Sequence, residues 1–263
     1  MDRSFLSQGD VIAASRNFVC VRLATYENKD EAEFVSKLYV GRSGEQENTT
    51  FTILSPDGQR PLVRVSRGAN QTFGTVERMV EAMNRIAKRF EDGTALRDKN
   101  PALPTVDSVR LGLNIAASDN LPLVVINAKD PESRDELAAR VRSLAWSESF
   151  VGRFTYAIAS DAEDRKAIEG AGTKGGVLVL QPDRFGLQGT ILSQCGPSAS
   201  TFEIETALRM GAARHKDDDR TLGSHVRDGR RLGMFWETAL PVTDPAEARV
   251  REQNPGNPNR RDK

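Results

Sequence analysis

The feature that most restricts the fold is a nearly unbroken apolar run at residues 121–127, Leu-Pro-Leu-Val-Val-Ile-Asn. Such a run is typical of a β-strand that is buried on both faces. It is followed by a predicted helix at residues 132–144, whose apolar residues share one face, and by alternating strand residues at 154–158. The sequence therefore predicts an α/β fold around this strand.

The two halves of the chain repeat one order of elements. Residues 18–89 and residues 154–214 each read strand, helix, strand, turn, strand, helix, and residues 121–144 place an extra strand and helix before the second copy. The first copy thus reads as the same unit without its opening strand and helix. Its predicted elements are strands at 18–23, 50–54 and 61–65, the last two as a hairpin, and helices at 29–40 and 75–90. Those of the second copy are strands at 154–158, 177–180 and 190–192 and helices at 162–168 and 201–213.

Breaks in the hydrophobic pattern divide the chain. Residues 91–105 contain Gly and Pro and no periodic pattern, which indicates a linker. We therefore expect a partial domain at 1–92, a linker at 93–106 and a second domain at 107–243. Residues 244–263 have no hydrophobic periodicity, which predicts a disordered tail.

Composition excludes several classes of function. Lys+Arg and Asp+Glu each number 37, so the net charge is +0 at pH 7. A balanced chain has no general attraction to nucleic acid or to an anionic membrane. The two cysteines, Cys20 and Cys195, form no short-spaced pair, which excludes a disulfide framework and a cysteine-based zinc cluster. We expect no nucleic-acid or membrane partner, no cofactor and no metal, and a cytoplasmic location for the chain as written.

The order β-α-β, hairpin, helix resembles the thioredoxin fold, a three-layer α/β/α architecture with a central mixed sheet. Residues 4–12, Ser-Phe-Leu-Ser-Gln-Gly-Asp-Val-Ile, and 16–23, Arg-Asn-Phe-Val-Cys-Val-Arg-Leu, resemble the end of the first helix and the next strand of thioredoxin-like proteins. Residues 50–58, Thr-Phe-Thr-Ile-Leu-Ser-Pro-Asp-Gly, resemble the family's third-strand hairpin. The resemblance covers residues 4–90 and, less specifically, 121–214, and it implies two thioredoxin-like units in tandem.

The chain departs from this family at the residues that carry its chemistry. Thioredoxin chemistry uses a Cys-x-x-Cys pair at a helix N-terminus, where backbone amides and the helix dipole stabilise the thiolate. After Asn127 this chain has Lys-Asp-Pro-Glu-Ser at residues 129–133, a carboxylate-rich turn that cannot exchange thiols. The cis-proline of the family is also missing, because residues 49–50 are both Thr and residues 175–176 are both Gly.

Besides a single-thiol redox protein that would use Cys195, the sequence leaves two functions open. The first is a thioredoxin-fold protein without its redox motif in this chain, which is a binding or scaffold module for a protein partner or a truncated redox protein. The alternative is a thiol or selenol disulfide oxidoreductase whose motif lies upstream of Met1, and a signal peptide upstream would then direct it to the periplasm or out of the cell. No residue of the chain is assigned a catalytic, cofactor-binding or metal-binding role, so enzymatic activity stays open. The oligomeric state stays open as well.

Several residues are candidates for chemistry. Cys20 alternates within an apolar strand and is expected to be a small buried hydrophobe, whereas Cys195 follows a strand and is the candidate for a single-thiol redox protein. The glycine-rich residues 170–176 lie between a helix and a strand, the reverse of a phosphate-binding loop, and predict a flexible connection. Residues 215–219, His-Lys-Asp-Asp-Asp, match no metal-binding pattern and predict a solvated helix end.

Residues 221–240 are basic and then apolar, with Met234, Phe235 and Trp236 together. Buried Trp and Phe are commonly core anchors, so this segment is expected to pack on the protein's own sheet. His225 and Asp228 share one helical face, but no Gly-x-Ser-x-Gly elbow supplies a nucleophile for a hydrolase.

Overall fold

The computed structural model describes residues 5–40, 44, 49–90, 101–128, 130–159, 162–170, 175–218, 222–234 and 236–242. The chain divides into two compact units. The first unit comprises Met1–Arg97 with Glu237–Lys263, and the second comprises Asp98–Trp236. Most of the predicted linker at 93–106 and all of the predicted tail at 244–263 lie outside the described residues.

Helices and a short hairpin make up the described part of the first unit. The helices are α1 (Gly9–Ser15), α2 (Lys29–Leu38), α3 (Ala69–Phe73) and α4 (Val76–Arg89). The side chains of Asn28 and Thr75 accept backbone amides at the starts of α2 and α4, as capping residues do. The two long helices predicted for this half are therefore confirmed. Val11 and Ala14 of α1 and Met79 and Met83 of α4 lie in its small apolar core.

Residues 51–66 pair as an antiparallel hairpin. Phe51 is bridged to Ser66 and Leu54 to Pro61, and Gly58 takes a φ of 71° in the connecting turn. The predicted pairing is confirmed, but it consists of isolated bridges instead of a continuous ladder. The C-terminal residues of this unit return to it, since the Leu240 amide donates to the Tyr26 carbonyl at 2.8 Å.

The predicted strand at residues 18–23 is wrong. These residues have no regular secondary structure, and the side chains of Val19 and Val21 are 83% and 72% exposed. β-branched residues favour a strand only when a neighbouring strand supplies the ladder of hydrogen bonds. The expectation that Cys20 is buried is wrong for the same reason, because its residue is exposed.

The described residues of the second unit form a six-stranded mixed sheet. The strands are β1 (Thr105–Val106), β2 (Leu123–Asn127), β3 (Thr155–Ala159), β4 (Ile168–Glu169), β5 (Gly176–Pro182) and β6 (Gly189–Cys195), and their order is β1-β3-β2-β5-β6-β4. β3 runs parallel to β1 and β2, and β5 runs antiparallel to β2 and β6. The structure thus confirms a mixed α/β architecture, with β2 between a parallel and an antiparallel neighbour.

Helices cover both faces of this sheet. The described helices of this unit are α5 (Val109–Asp119), α6 (Pro131–Ala145), α7 (Ala162–Lys166), α8 (Thr201–Arg214) and α9 (Leu222–Arg231), of which α5, α6 and α8 pack on the faces of the sheet. Val124 and Ile126 of β2 pack with α6 and α8, whereas Leu123 and Val125 pack with α5. All five residues of β2 are buried, as the apolar run predicts. None of the helices described is long and apolar enough to cross a membrane.

The sequence missed α5 and β1. Thr105 and Val106 fall in the predicted linker, yet they pair with Tyr156 and Ala157 of β3. In α5, Gly112 interrupts the apolar pattern. A larger residue does not fit at this position, because its Cβ would come within 2.9 Å of the Leu123 side chain. The close packing of helix on sheet therefore requires the residue that weakens the sequence signal.

Candidate functional site

The start of α6 occupies the position where the family resemblance implies a redox pair. β2 ends at Asn127, and α6 begins four residues later at Pro131. Asp130 caps the helix, because its Oδ1 accepts the Ser133 amide at 2.8 Å and its Oδ2 accepts the Ser133 hydroxyl at 2.9 Å. The Ser133 amide, and next its hydroxyl, hold the pKa of the Asp130 carboxyl below its ordinary value. Lys129 lies outside the described residues.

A buried amide lies beside this helix start. Asn127 is 4% exposed, and its Oδ1 accepts the Arg165 Nε–H of α7 at 3.1 Å. Sequence reasoning missed this pair, because the two residues are separated by a helix and a strand and neither belongs to a motif. The guanidinium brings a positive charge to the carboxyl end of β2.

Two glycines bring β5 close to this end of the sheet. A Cβ at Gly175 would lie 2.9 Å from the Asn127 carbonyl oxygen. At Gly176, φ is +133° and a Cβ would lie 1.9 Å from the Cys195 carbonyl oxygen. Residues 175–176 therefore allow an approach that a larger residue would block.

Cys195 is poorly placed for thiol chemistry at this site. It pairs with Val177 across β5 and β6, while Asn127 pairs with Gly176 across β2 and β5. Two strand spacings, about 10 Å, thus separate Cys195 from the end of β2. Its side chain packs against the main core cluster, and burial is the main cause that raises the pKa of its thiol. A thiol with a raised pKa is a poor nucleophile at neutral pH.

The predicted solvated helix end at residues 215–219 is wrong at His215. Its side chain is only 8% exposed, and its Nε2 lies 3.3 Å from the carbonyl oxygen of Asn120, which has a φ of 59°. Among the described residues, its Nδ1 is buried without a hydrogen-bond partner. Asp217 is solvated as predicted, with its side chain 78% exposed, and Asp219 lies outside the described residues.

An open cleft of about 460 Å³ lies beside His215. Gln181 and Lys216 help to line it, and the Gln181 side chain accepts the Lys216 amide at 2.9 Å. The part of the chain that the structure describes contains no group of three His, Cys, Asp or Glu side chains arranged to hold a metal.

The segment at residues 221–240 was predicted to pack on the protein's own sheet, but its described residues up to Trp236 pack on the turn between β5 and β6. Residues 237–240 belong to the first unit. The His225 ring of α9 lies 5.5 Å from that of Phe185 and 5.8 Å from that of Trp236. Trp236 Nε1 donates to the Phe185 carbonyl at 2.7 Å, and Arg184 pairs with Asp228. His225 and Asp228 thus hold α9 on the β5–β6 turn. Phe235 and residues 171–174 of the glycine-rich loop lie outside the described residues.

Comparison with protein-family models, curated proteins and solved structures found no match for this chain.

Proposed function

We propose that the second unit is a thioredoxin-like domain without a thiol-redox centre, and that the protein works as a binding or scaffold module. The observation that carries the proposal is the start of α6, where the Asp130–Ser133 cap stands in place of a cysteine pair. A carboxylate there accepts amide hydrogens as a cap does, but it cannot attack a disulfide.

The order and direction of the strands support a thioredoxin-like arrangement. β2 lies between parallel β3 and antiparallel β5, and β5 forms a hairpin with β6. α6 and α8 pack on one face of this sheet and α5 on the other. A central mixed sheet between helix layers is the architecture that the sequence resemblance implies for this half of the chain.

The first unit gives partial support for a tandem arrangement. Its α2, hairpin and α4 follow in the expected order, whereas the opening strand at 18–23 is not formed.

Exposed apolar side chains support a binding role. On α8, Phe202 is 77% exposed and Met210 is 42% exposed, and Trp146 at the end of α6 is 44% exposed. Phe202 and Met210 are eight residues apart and therefore lie on one stripe of α8, which gives a partner protein an exposed apolar surface to cover.

The absence of a redox role is tested by the reduction of insulin disulfides in the presence of dithiothreitol. The full chain is compared with Cys195→Ser and Cys20→Ser, and all three are expected to match the rate of dithiothreitol alone. A rate above that background that is lost in Cys195→Ser would contradict the proposal, because it would make Cys195 a redox centre.

A further inference from the structure

The apolar stripe of α4 extends beyond the core of the first unit. Met79 and Met83 are buried in that core, whereas Ile86 and Phe90, the next positions along the same stripe, are only half-buried. Neither Ile86 nor Phe90 belongs to the apolar cluster that contains Val11 and Met83. The last turn of α4 therefore presents apolar surface that the core of its own unit does not use.

A groove of about 210 Å³, the α4 groove, lies at this end of the helix. The hairpin contributes the half-buried residues Leu62 and Val63 to its lining, and Ile86 and Phe90 contribute the rest of its apolar surface. Pockets that enclose a whole small-molecule ligand measure about 300–1,000 Å³. The α4 groove is smaller, so we expect it to take a single apolar side chain of a larger ligand.

Two guanidinium groups border the α4 groove. Arg85 and Arg89 both line it, and a separation of four residues places them one turn apart on the same face of α4. The guanidinium carbon of Arg89 lies over the Phe90 ring, 5.7 Å from its centroid. Among the described residues, neither guanidinium has a hydrogen-bond or ion-pair partner, although Glu81 precedes Arg85 by four residues. The groove thus combines apolar side chains with two cations that lack a counter-ion in the described part of the chain.

The neighbouring sequence adds positive charge to this surface. Arg60 and Arg64 lie on either side of Leu62 and Val63 in the hairpin, and both arginines are exposed. Residues 58–76 contain no Asp or Glu. The chain as a whole has a net charge of +0, so this excess is local. A local positive field favours an anionic partner at the α4 groove.

The chemistry of the groove favours a peptide over a nucleic acid. Bases stack on open aromatic faces, whereas the ring of Phe90 has the Arg89 guanidinium over it. An acidic peptide supplies an apolar side chain and carboxylates at neighbouring positions, and guanidinium groups bind carboxylates through two parallel hydrogen bonds. We propose that the α4 groove binds an acidic segment of a partner protein, with one apolar side chain in the groove and its flanking carboxylates paired with Arg85 and Arg89. This inference gives the proposed binding module a partner, but it depends only on the first unit.

The test uses the full chain and a fluorescein-labelled peptide, Gly-Asp-Glu-Phe-Glu-Asp-Gly. We expect saturable binding by fluorescence anisotropy, with a dissociation constant below about 1 mM that rises with added salt, because exposed ion pairs are screened. One control peptide has alanine in place of the phenylalanine, and a second has side-chain amides in place of the carboxylates. Each control is expected to bind roughly tenfold more weakly, because it loses either the apolar contact or the charge pairs.

A matched pair of double variants locates the site. Arg85→Gln/Arg89→Gln removes the two guanidinium groups that line the groove and is expected to weaken peptide binding roughly tenfold. Arg78→Gln/Lys88→Gln removes the same charge from exposed positions of α4 outside the lining and is expected to bind within about twofold of the unaltered chain. All four side chains are exposed and glutamine is a good helix former, so both variants are expected to fold, as circular dichroism checks.

Four outcomes would overturn the proposal. They are absence of saturable binding below about 1 mM, equal binding of the phenylalanine and alanine peptides, an equal loss of binding in the two double variants, and tighter binding of a single-stranded thymidine decanucleotide that depends on Arg85 and Arg89. The last would assign the groove to nucleic acid. The insulin assay is independent of these results, since reduction by Cys195 would contradict the proposed function and leave the α4 groove to be judged by peptide binding.

Discussion

Tyr156 has a hydroxyl that folding buries without a hydrogen-bond partner among the described residues. Its side chain is 3% exposed in the core between the sheet and helices α6 and α8. A buried hydroxyl left unpaired costs about 1–3 kcal/mol, and removal of its oxygen also loses some packing contacts. Tyr156→Phe is therefore expected to raise the free energy of unfolding by about 1 kcal/mol.

Ser193 provides the matched control, because it is a buried hydroxyl in the same unit that has a partner. It is 7% exposed, and its Oγ donates to the Ala207 carbonyl at 2.6 Å. Ser193→Ala is expected to lower the free energy of unfolding by about 1 kcal/mol, opposite in sign to Tyr156→Phe.

Urea unfolding followed by tryptophan fluorescence measures both variants. The two tryptophans of the chain, Trp146 and Trp236, lie in the second unit, so the signal reports the unit that contains the substitutions. A loss of about 1 kcal/mol or more in Tyr156→Phe would refute the reasoning, because it would show that the phenol is hydrogen-bonded.

Tyr156→Phe is also expected to change how the free energy of unfolding depends on pH. Burial raises the pKa of Tyr156 above its ordinary value of 10.0. Above that value the unfolded phenol loses its proton while the folded phenol keeps it, so stability falls as pH rises. Tyr156→Phe lacks this loss, and its advantage over the unaltered chain is expected to grow by about 1 kcal/mol between about pH 10 and about pH 11. An advantage that stays constant over this range would contradict the burial of the phenol.

Three further substitutions test other contacts of the second unit. Ser200→Ala removes the capping box of α8 and is expected to cost about 1 kcal/mol in urea unfolding. Gly176→Ala drives a Cβ into the Cys195 carbonyl and is expected to cost about 3 kcal/mol in the same assay; an unchanged stability would show that β5 and β6 are farther apart there. Trp236→Phe loses the hydrogen bond to Phe185 and is expected to speed hydrogen exchange in α9, which unchanged exchange would contradict.

The sequence predicts an element correctly where its local residue pattern agrees with its tertiary packing. The apolar run at 121–127 predicts β2 because a strand covered on both faces needs apolar residues at every position. The helix predicted at 132–144 corresponds to α6, which begins one residue earlier at Pro131 and is capped by Asp130, a residue type typical of a helix N-terminus. The absence of a cysteine pair at this position can be seen from the sequence alone.

The errors come from contacts that a local pattern does not contain. Residues 18–23 have strand propensity, but propensity supplies no partner for their backbone groups. His215 was placed in solvent, whereas the carbonyl of Asn120, 95 residues away, lies beside its ring. The Asn127–Arg165 bond likewise depends on how β2 and α7 are brought together, which neither segment encodes alone.

The most direct test of the account is to place a cysteine pair at the start of α6. In Asp130→Cys/Ser133→Cys the two side chains are expected to meet, because the present ones are hydrogen-bonded at 2.9 Å. The helix N-terminus would lower the pKa of the first thiol. We predict a disulfide between these positions and reduction of insulin well above the dithiothreitol background, with Asp130→Cys alone inactive. A folded double variant that forms no such disulfide, or forms it and does not reduce insulin, would contradict a thioredoxin-like second unit.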